Sequence, residues 1–202
     1  IHLKSVPLLG GLSVATGFVL LCIYDVLISP GRFLDEPMLG YLAGSVLIVI
    51  IGLIDDHRGM KPVLKMFGQL VVSLLFIFTN FTLAELSLMF GSIYISLPIM
   101  LLWMVGLMNA LNFLDNMDGI ISGMAGILGL GFFAFALINT TQANQEAMAL
   151  MALIALSFAG SAFGFLPYNF NPAHIFLGDA GSMFIGYFLS SMGILMARYA
   201  AN

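Results

Sequence analysis

The stretch LPIMLLWMVGLMNALNFLDNMDGIISGMAGILGLGFFAFALIN, Leu97 to Asn139, holds two long apolar runs on either side of a short polar turn. A bilayer core is about 30 Å thick and takes about 20 apolar residues of helix to cross. The stretch therefore reads as a membrane hairpin, with one helix over 97–114 and a second over 119–139. The rest of the chain has the same character. Of its 202 residues, 61% are hydrophobic and only 8% charged, with a mean hydropathy of +1.08. Soluble domains carry roughly 25% charged residues, so a water-soluble fold is excluded.

Outward from the hairpin, the same ruler gives seven spans: 8–28, 38–54, 64–81, 97–114, 119–139, 147–166 and 180–199. The expected fold is an all-α polytopic bundle in one integral membrane domain, 1–202. The connections carry turn chemistry: Ser29-Pro30-Gly31 with Asp35-Glu36-Pro37, Asp55 to Pro62, Asn139 to Gln145, and Pro167 to Pro172. Residues 86–96 partly alternate apolar with small or polar side chains around Gly91-Ser92, which predicts a short surface β-hairpin. Cys22 lies in an apolar run with no second cysteine to pair with, and reads as a packing residue. Ile1 stands where an initiator Met is usual and no cleavable leader pattern follows, so the sequence reads as part of a larger bundle.

Lys and Arg near span ends stay on the cytoplasmic side. With the N-terminus inside, Lys4, Arg58, Lys61 and Lys65 are cytoplasmic, against Arg32 and Arg198 outside. Alternating through the spans then brings Asp55, Asp56, Asp115, Asp118 and Asp179 to the cytoplasmic face, half of the ten acids in the chain. The net charge of -4 says little about partners, and there is no basic patch for nucleic acid.

Asp55-Asp56 closes the second span. Adjacent carboxylates near hydrocarbon repel unless a cation or partner neutralises them. The pair reads either as a solvated helix end balanced by Arg58 and Lys61, or as a cation site. Asn109, Asn112, Asp115 and Asp118 recur every third residue, which on one helix makes a polar stripe facing a cleft or the bundle interior. A hydrogen-bonded seam between helices is the plainer reading of the asparagines; it suits acceptor-only carboxylates poorly. Gly119 permits a sharp turn into the next span. Asp179, flanked by Gly178 and Gly181, reads equally as a helix N-cap or as a ligand residue. Together these acids suit Mg²⁺, a hard cation that bridges carboxylates to phosphates, with Lys4, Arg58, Lys61 and Lys65 near the remaining phosphate charge. His57 and His174 have no zinc-type spacing.

These residues resemble the polyprenyl-phosphate N-acetylhexosamine-1-phosphate transferase family. The resemblance runs through Pro7-Leu8-Leu9-Gly10-Gly11, Asp55-Asp56, Asn109-Ala110-Leu111-Asn112-Phe113-Leu114-Asp115-Asn116-Met117-Asp118-Gly119 and Ile175-Phe176-Leu177-Gly178-Asp179-Ala180-Gly181-Ser182. It implies transfer of hexosamine 1-phosphate from a UDP-N-acetylhexosamine to undecaprenyl phosphate, releasing UMP, with Mg²⁺ required and Mn²⁺ as a substitute. Asp179 and Asp56 would then be metal ligands, and Asp55 or Asp56 would engage or deprotonate the lipid phosphate. Lys4, Lys61, Lys65, Asn109 and Asn112 would contact substrate; Asp115, Asn116 and Asp118 would shape the nucleotide pocket, and Phe176 would stack on uracil. The implied setting is the bacterial cytoplasmic membrane, with a homodimer as the assembly.

Two departures stand out. Asn116 occupies a position where the family usually has glycine. A first helix before Ile1, a His- or Arg-rich loop and final helices after residue 199 are also expected from the resemblance. The lead-in Tyr168-Asn169-Phe170-Asn171-Pro172-Ala173 is more similar to the teichoic-acid and O-antigen branch, which uses UDP-GlcNAc, than to the peptidoglycan branch with its phospho-N-acetylmuramoyl-pentapeptide transferases. Intramembrane aromatic prenyltransferases space their paired acids differently, CDP-alcohol phosphotransferases carry a long Asp-Gly-Ala-Arg pattern absent here, and a cation transporter would place acids near mid-membrane.

Overall fold

The computed structural model describes residues 7–28 and 36–200, which form eight helices and no strand among the described residues. They are α1 (Gly10–Ile28), α2 (Glu36–Arg58), α3 (Pro62–Asn80), α4 (Leu83–Met89), α5 (Ile93–Leu114), α6 (Ile120–Ile138), α7 (Gln145–Asn169) and α8 (Gly178–Ala200). Six of them, α2, α3, α5, α6, α7 and α8, are long and apolar enough to cross a membrane. The seventh expected span corresponds to α1, which is apolar over Gly10–Tyr24 and is not among these six. Lys4 and Arg32, which entered the orientation argument, lie outside the described residues.

The β-hairpin expected at 86–96 is not present. Thr82 and Glu85 form a capping box that starts α4, with Thr82 N donating to Glu85 Oε2 at 2.8 Å. Gly91, at φ 79, turns the chain, and the Ser92 hydroxyl accepts from Tyr94 N to open α5. These caps satisfy the backbone locally, so the weak alternation of apolar and polar residues has no partner strand to act on.

Helix α8 is the axis of the bundle. In its membrane window 83% of the residues are buried, against 22% to 50% in the other five spans, and it packs on α1, α2, α5, α6 and α7. Small side chains make this possible, since helices in lipid associate by close packing rather than by a hydrophobic drive. A methyl at Gly11 would strike the backbone of Gly181, one at Gly52 the backbone of Ala180, and one at Gly186 the backbone of Met108. Further along, aromatic rings fill the wider gaps: Phe158 stacks on Phe188 with centroids 3.6 Å apart, and Phe18, Tyr41 and Phe76 pack around Tyr187 and Phe188.

Alternation of the helices sorts the chain ends into two groups. At one end the start of α1 meets the approach to α8, Gly10 N and Gly11 N donating to the carbonyls of Phe176 and Leu177 at 3.0 and 2.7 Å. The α2–α3 corner and the α5–α6 turn lie at this same end. At the other, Arg198 near the end of α8 bonds Asn80 O and Glu85 and lies over the Phe81 ring, 4.9 Å from its centroid.

Candidate active site

The α2–α3 corner is built around Asp55. Gly59, at φ 66, bends the chain back so that Gly59 N donates to Asp55 O at 2.8 Å and Met60 N to Asp55 Oδ1 at 2.6 Å. Lys61 is the extended N-cap residue of α3, and Pro62 follows at the first helical position, where its missing N–H costs nothing. One turn on, the Lys65 ammonium stands 2.8 Å from Asp55 Oδ2, 2.9 Å from Asp179 Oδ2 and 3.0 Å from Asn112 Oδ1. A single cation on α3 thus ties together α2, α5 and α8.

Asp179 is also held by Asn112, whose amide nitrogen donates to Asp179 Oδ1 and, at 2.9 Å, to Ser182 Oγ. The Asp179 side chain is therefore turned toward α3 and α5 and does not cap its own helix. Asp56 does that from α2: its Oδ1 accepts from Asp179 N at 2.8 Å and its Oδ2 from Ala180 N at 3.0 Å.

Beside this cluster lies a cavity of about 690 Å³ lined by Leu8, Asp115, Asn116, Met117, Asp118, Ile120, Asn169, Asn171, Phe176 and Gly178. The expected helical stripe does not extend this far. Asn109 and Asn112 lie on α5, but the helix ends at Leu114 with Asp115 as C-cap, and Asp118 sits in the turn that Gly119 closes at φ 75. The left-handed glycine and the capping geometry end the helix before its 3.6-residue period reaches Asp118.

The turn is joined to the 170–177 segment. Asp118 Oδ2 accepts from Asn171 Nδ2 and Ala173 N, both at 3.1 Å. Buried Asn169 accepts from Gly119 N at 3.2 Å and Ser122 Oγ at 2.8 Å, and donates to Ile175 O at 3.1 Å. Asn116 folds its amide back, Nδ2 donating to Phe113 O at 2.6 Å. Burial pushes the Asp115 carboxyl up to about 7, and the nearby charges of Asp179 and Asp56 add to the effect.

Asp55 and Asp179 are the carboxylates that could take part in holding a hard divalent cation. Oxygens of Asp55 and Asp179 converge on one point, where the Lys65 ammonium stands, and Mg²⁺ is usually held by one or two carboxylates with phosphate and water completing its shell. Among the described residues no group of three or more His, Cys, Asp or Glu is placed to enclose a metal, so the remaining ligands would come from substrate. The Asp56 oxygens each face an α8 amide instead.

Asp55, Lys65, Asn112 and Asp179 thus form one cluster, and Asp115, Asn116, Asp118 and Phe176 the adjoining cavity. Asn109 lies a turn deeper, its Nδ2 donating to Gln69 Oε1 at 2.6 Å. The Lys61 side chain is exposed, as are His57 and His174. Asn169 and Ser182 stand in the motifs quoted above without an individual role, and Gln69 stands in none. Gln69 had a signal: it follows Lys65 by four residues on an apolar helix, and so shares its face.

The family model described as glycosyl transferase family 4 matches residues 38–197. A Bacillus subtilis (strain 168) protein named "Probable undecaprenyl-phosphate N-acetylglucosaminyl 1-phosphate transferase" is 30% identical over 200 residues, covering 96% of this chain and 52% of that protein. A decaprenyl-phosphate N-acetylglucosaminephosphotransferase of Mycolicibacterium smegmatis is 30% identical over 202 residues, covering 95% and 50%. A phospho-N-acetylmuramoyl-pentapeptide-transferase of Nitratiruptor sp. is 51% identical over 41 residues, 20% of this chain and 12% of that protein. The chain spans about half the length of the curated relatives it matches along nearly its whole extent.

Proposed function

The chain belongs to glycosyl transferase family 4, and on that premise we propose that it moves N-acetylglucosamine 1-phosphate from UDP-N-acetylglucosamine to undecaprenyl phosphate, releasing UMP, to begin a cell-envelope polysaccharide. The observation that carries this reading is the convergence of Asp55 and Asp179 on the Lys65 cation beside a cavity of about 690 Å³ whose lining includes Asp115, Asn116 and Asp118. Transfer from a diphosphate brings several negative charges together, and its barrier is lowered chiefly by neutralising and positioning them.

In the proposed reaction an oxygen of the lipid phosphate attacks the phosphorus that bears the sugar. A new P–O bond forms, and the bridging P–O bond breaks toward UMP. Asp55 and its partner Lys65 face the incoming lipid phosphate. Asp115, Asn116 and Asp118 wall the nucleotide cavity, and Phe176 offers its ring to the uracil. Mg²⁺, or Mn²⁺ in its place, would be held by Asp179 with Asp55 and would neutralise diphosphate charge when bound. Arg58, Lys61 and Lys65 belong to the same end of the bundle, which supports a cytoplasmic site by the retention of basic residues there.

The test is to incubate membranes carrying the protein with Mg²⁺, undecaprenyl phosphate and a panel of labelled UDP-sugars, following UMP release and the lipid product. The expected product is lipid-linked GlcNAc diphosphate. The short match to peptidoglycan enzymes favours a second donor, so UDP-N-acetylmuramoyl-pentapeptide belongs in the panel. Absence of UMP release with every donor, with Mg²⁺ or Mn²⁺, sinks the reading.

A further inference from the structure

Asp55 and Asp56 are neighbours in sequence, but the fold gives them different work. Asp55 turns to Lys65, whereas each oxygen of Asp56 meets a backbone amide at the start of α8, Asp179 N at 2.8 Å and Ala180 N at 3.0 Å. We infer that Asp56 serves the proposed transfer as a positioning residue: it clamps the first turn of α8 and so sets where Asp179 stands, without itself holding cation or phosphate. The inference rests on the proposed function only for the reaction it serves.

The first amides of a helix have no partner within it, and leaving them buried and bare is costly. Helix α8 has no means of capping itself. It opens at Gly178, which has no side chain, and the Asp179 carboxylate is drawn away to Lys65 and Asn112. A cap must therefore come from another helix, and a carboxylate is favoured there by the helix dipole. The approach is cleared by two glycines. A Cβ on Gly178, which sits at φ 74, would lie 2.9 and 3.0 Å from the two Asp56 oxygens. Gly52, one turn before Asp56, lets α2 touch the backbone of Ala180. Because Asp56 supplies the cap, the Asp179 side chain is left to the cation position.

The test compares Asp56→Asn and Asp56→Ala with Asp179→Asn in the intact protein in nanodiscs, reading hydrogen exchange at the start of α8, Mn²⁺ binding by electron paramagnetic resonance, and kcat and KM for transfer. In Asp56→Asn one acceptor oxygen remains. Exchange of amides 179 and 180 should speed up about 10-fold, as for a weakened cap, while the Mn²⁺ half-saturation should move by less than about 2-fold and kcat should fall more than KM. Asp56→Ala should exchange faster still, and the Asn variant carries the test if the Ala variant does not fold. Asp179→Asn should raise the Mn²⁺ half-saturation about 10-fold or more, as loss of a charged ligand predicts. An Asp56→Asn protein with unchanged exchange at α8, or with Mn²⁺ binding weakened as much as in Asp179→Asn, overturns the inference. Exchange decides alone if Mn²⁺ is held only with substrate. Neither readout needs turnover, so a wild-type protein inactive with every donor counts against the proposed function and not against the clamp.

Discussion

The ammonium of Lys65 on α3 lies 2.9 Å from Oδ2 of Asp179 on α8, and the same nitrogen is 2.8 Å from Asp55 Oδ2 on α2. One protein cation thus balances two carboxylates of the site proposed to hold a divalent ion. Lys65→Met keeps most of the side-chain volume and removes the charge, leaving both acids uncompensated. The loss should fall between the exposed-pair value of about 1 kcal/mol and the buried-pair value of about 3–5 kcal/mol, because the Lys65 and Asp55 side chains are mostly buried and Asp179 less so. Thermal melts in detergent should show a lower midpoint without metal and a larger rise on adding Mg²⁺ than in wild type. A Mg²⁺ response no larger than wild type would mean that Lys65 and the ion do not serve the same carboxylates.

Asp115 gives a pH dependence whose sign is fixed. Its folded pKa of about 7 stands above the ordinary 3.8, first through burial and then through the charges of Asp179 and Asp56. The folded protein therefore holds a proton that the unfolded chain releases, and this group's contribution to stability falls as pH rises from about 4 to about 7. Asp115→Asn mimics the protonated acid. Relative to wild type it should be more stable at pH 8, and the difference should shrink to nothing near pH 4. Denaturation midpoints across that range test this; a constant offset between the two proteins would refute it.

Asn169 joins the two walls of the cavity, bonding the Gly119 turn on one side and Ile175 on the other. Asn169→Ala leaves buried partners unsatisfied, at roughly 1–3 kcal/mol each, and frees the 170–177 segment from the turn. Because Asp118 and Phe176 lie on the walls so joined, the KM for the proposed UDP-sugar donor should rise about 10-fold, as expected when a binding wall is misplaced. The kcat should change less. Equal loss in both parameters would show that the residue supports folding generally and not the cavity.

Five of the expected spans were legible from apolar length alone, and α8 from its length too, but not its place at the centre of the bundle. That place depends on Gly11, Gly52 and Gly186 meeting α8 or its partners, contacts between residues far apart in sequence. The acids gathered at one end were legible because alternating spans sort them by parity. Their division of labour was not, since Asp55 and Asp56 differ only in which neighbour each side chain meets. The alternation over 86–96 suggests paired strands, but Thr82 and Glu85 stand three apart just ahead of it, a capping-box spacing that outranks a few alternating residues. Asn169 carries no such sign, because its partners come from a turn and a loop that only the fold brings together.

The packing of α2 on α8 yields a prediction with its own control. Gly52 and Gly106 both lie inside apolar helices, α2 and α5 respectively, and composition alone does not distinguish them. A Cβ on Gly52 would enter the backbone of Ala180, while one on Gly106 has nothing within 4 Å. Gly106→Ala should therefore be neutral or slightly stabilising, by at most the roughly 1 kcal/mol that alanine gains over glycine in a helix. Gly52→Ala must push α2 off α8, and backbone on the far side cannot yield as a flexible side chain would, so the cost should reach or exceed the usual overpacking range of about 1–3 kcal/mol. The displacement also acts at a distance of one turn, where Asp56 holds the Asp179 and Ala180 amides. Protein that still folds should consequently show faster exchange at the start of α8 and reduced transfer, with Gly106→Ala close to wild type in both. Matching melts and matching exchange for the two variants would show that α2 and α8 are not in backbone contact at Gly52.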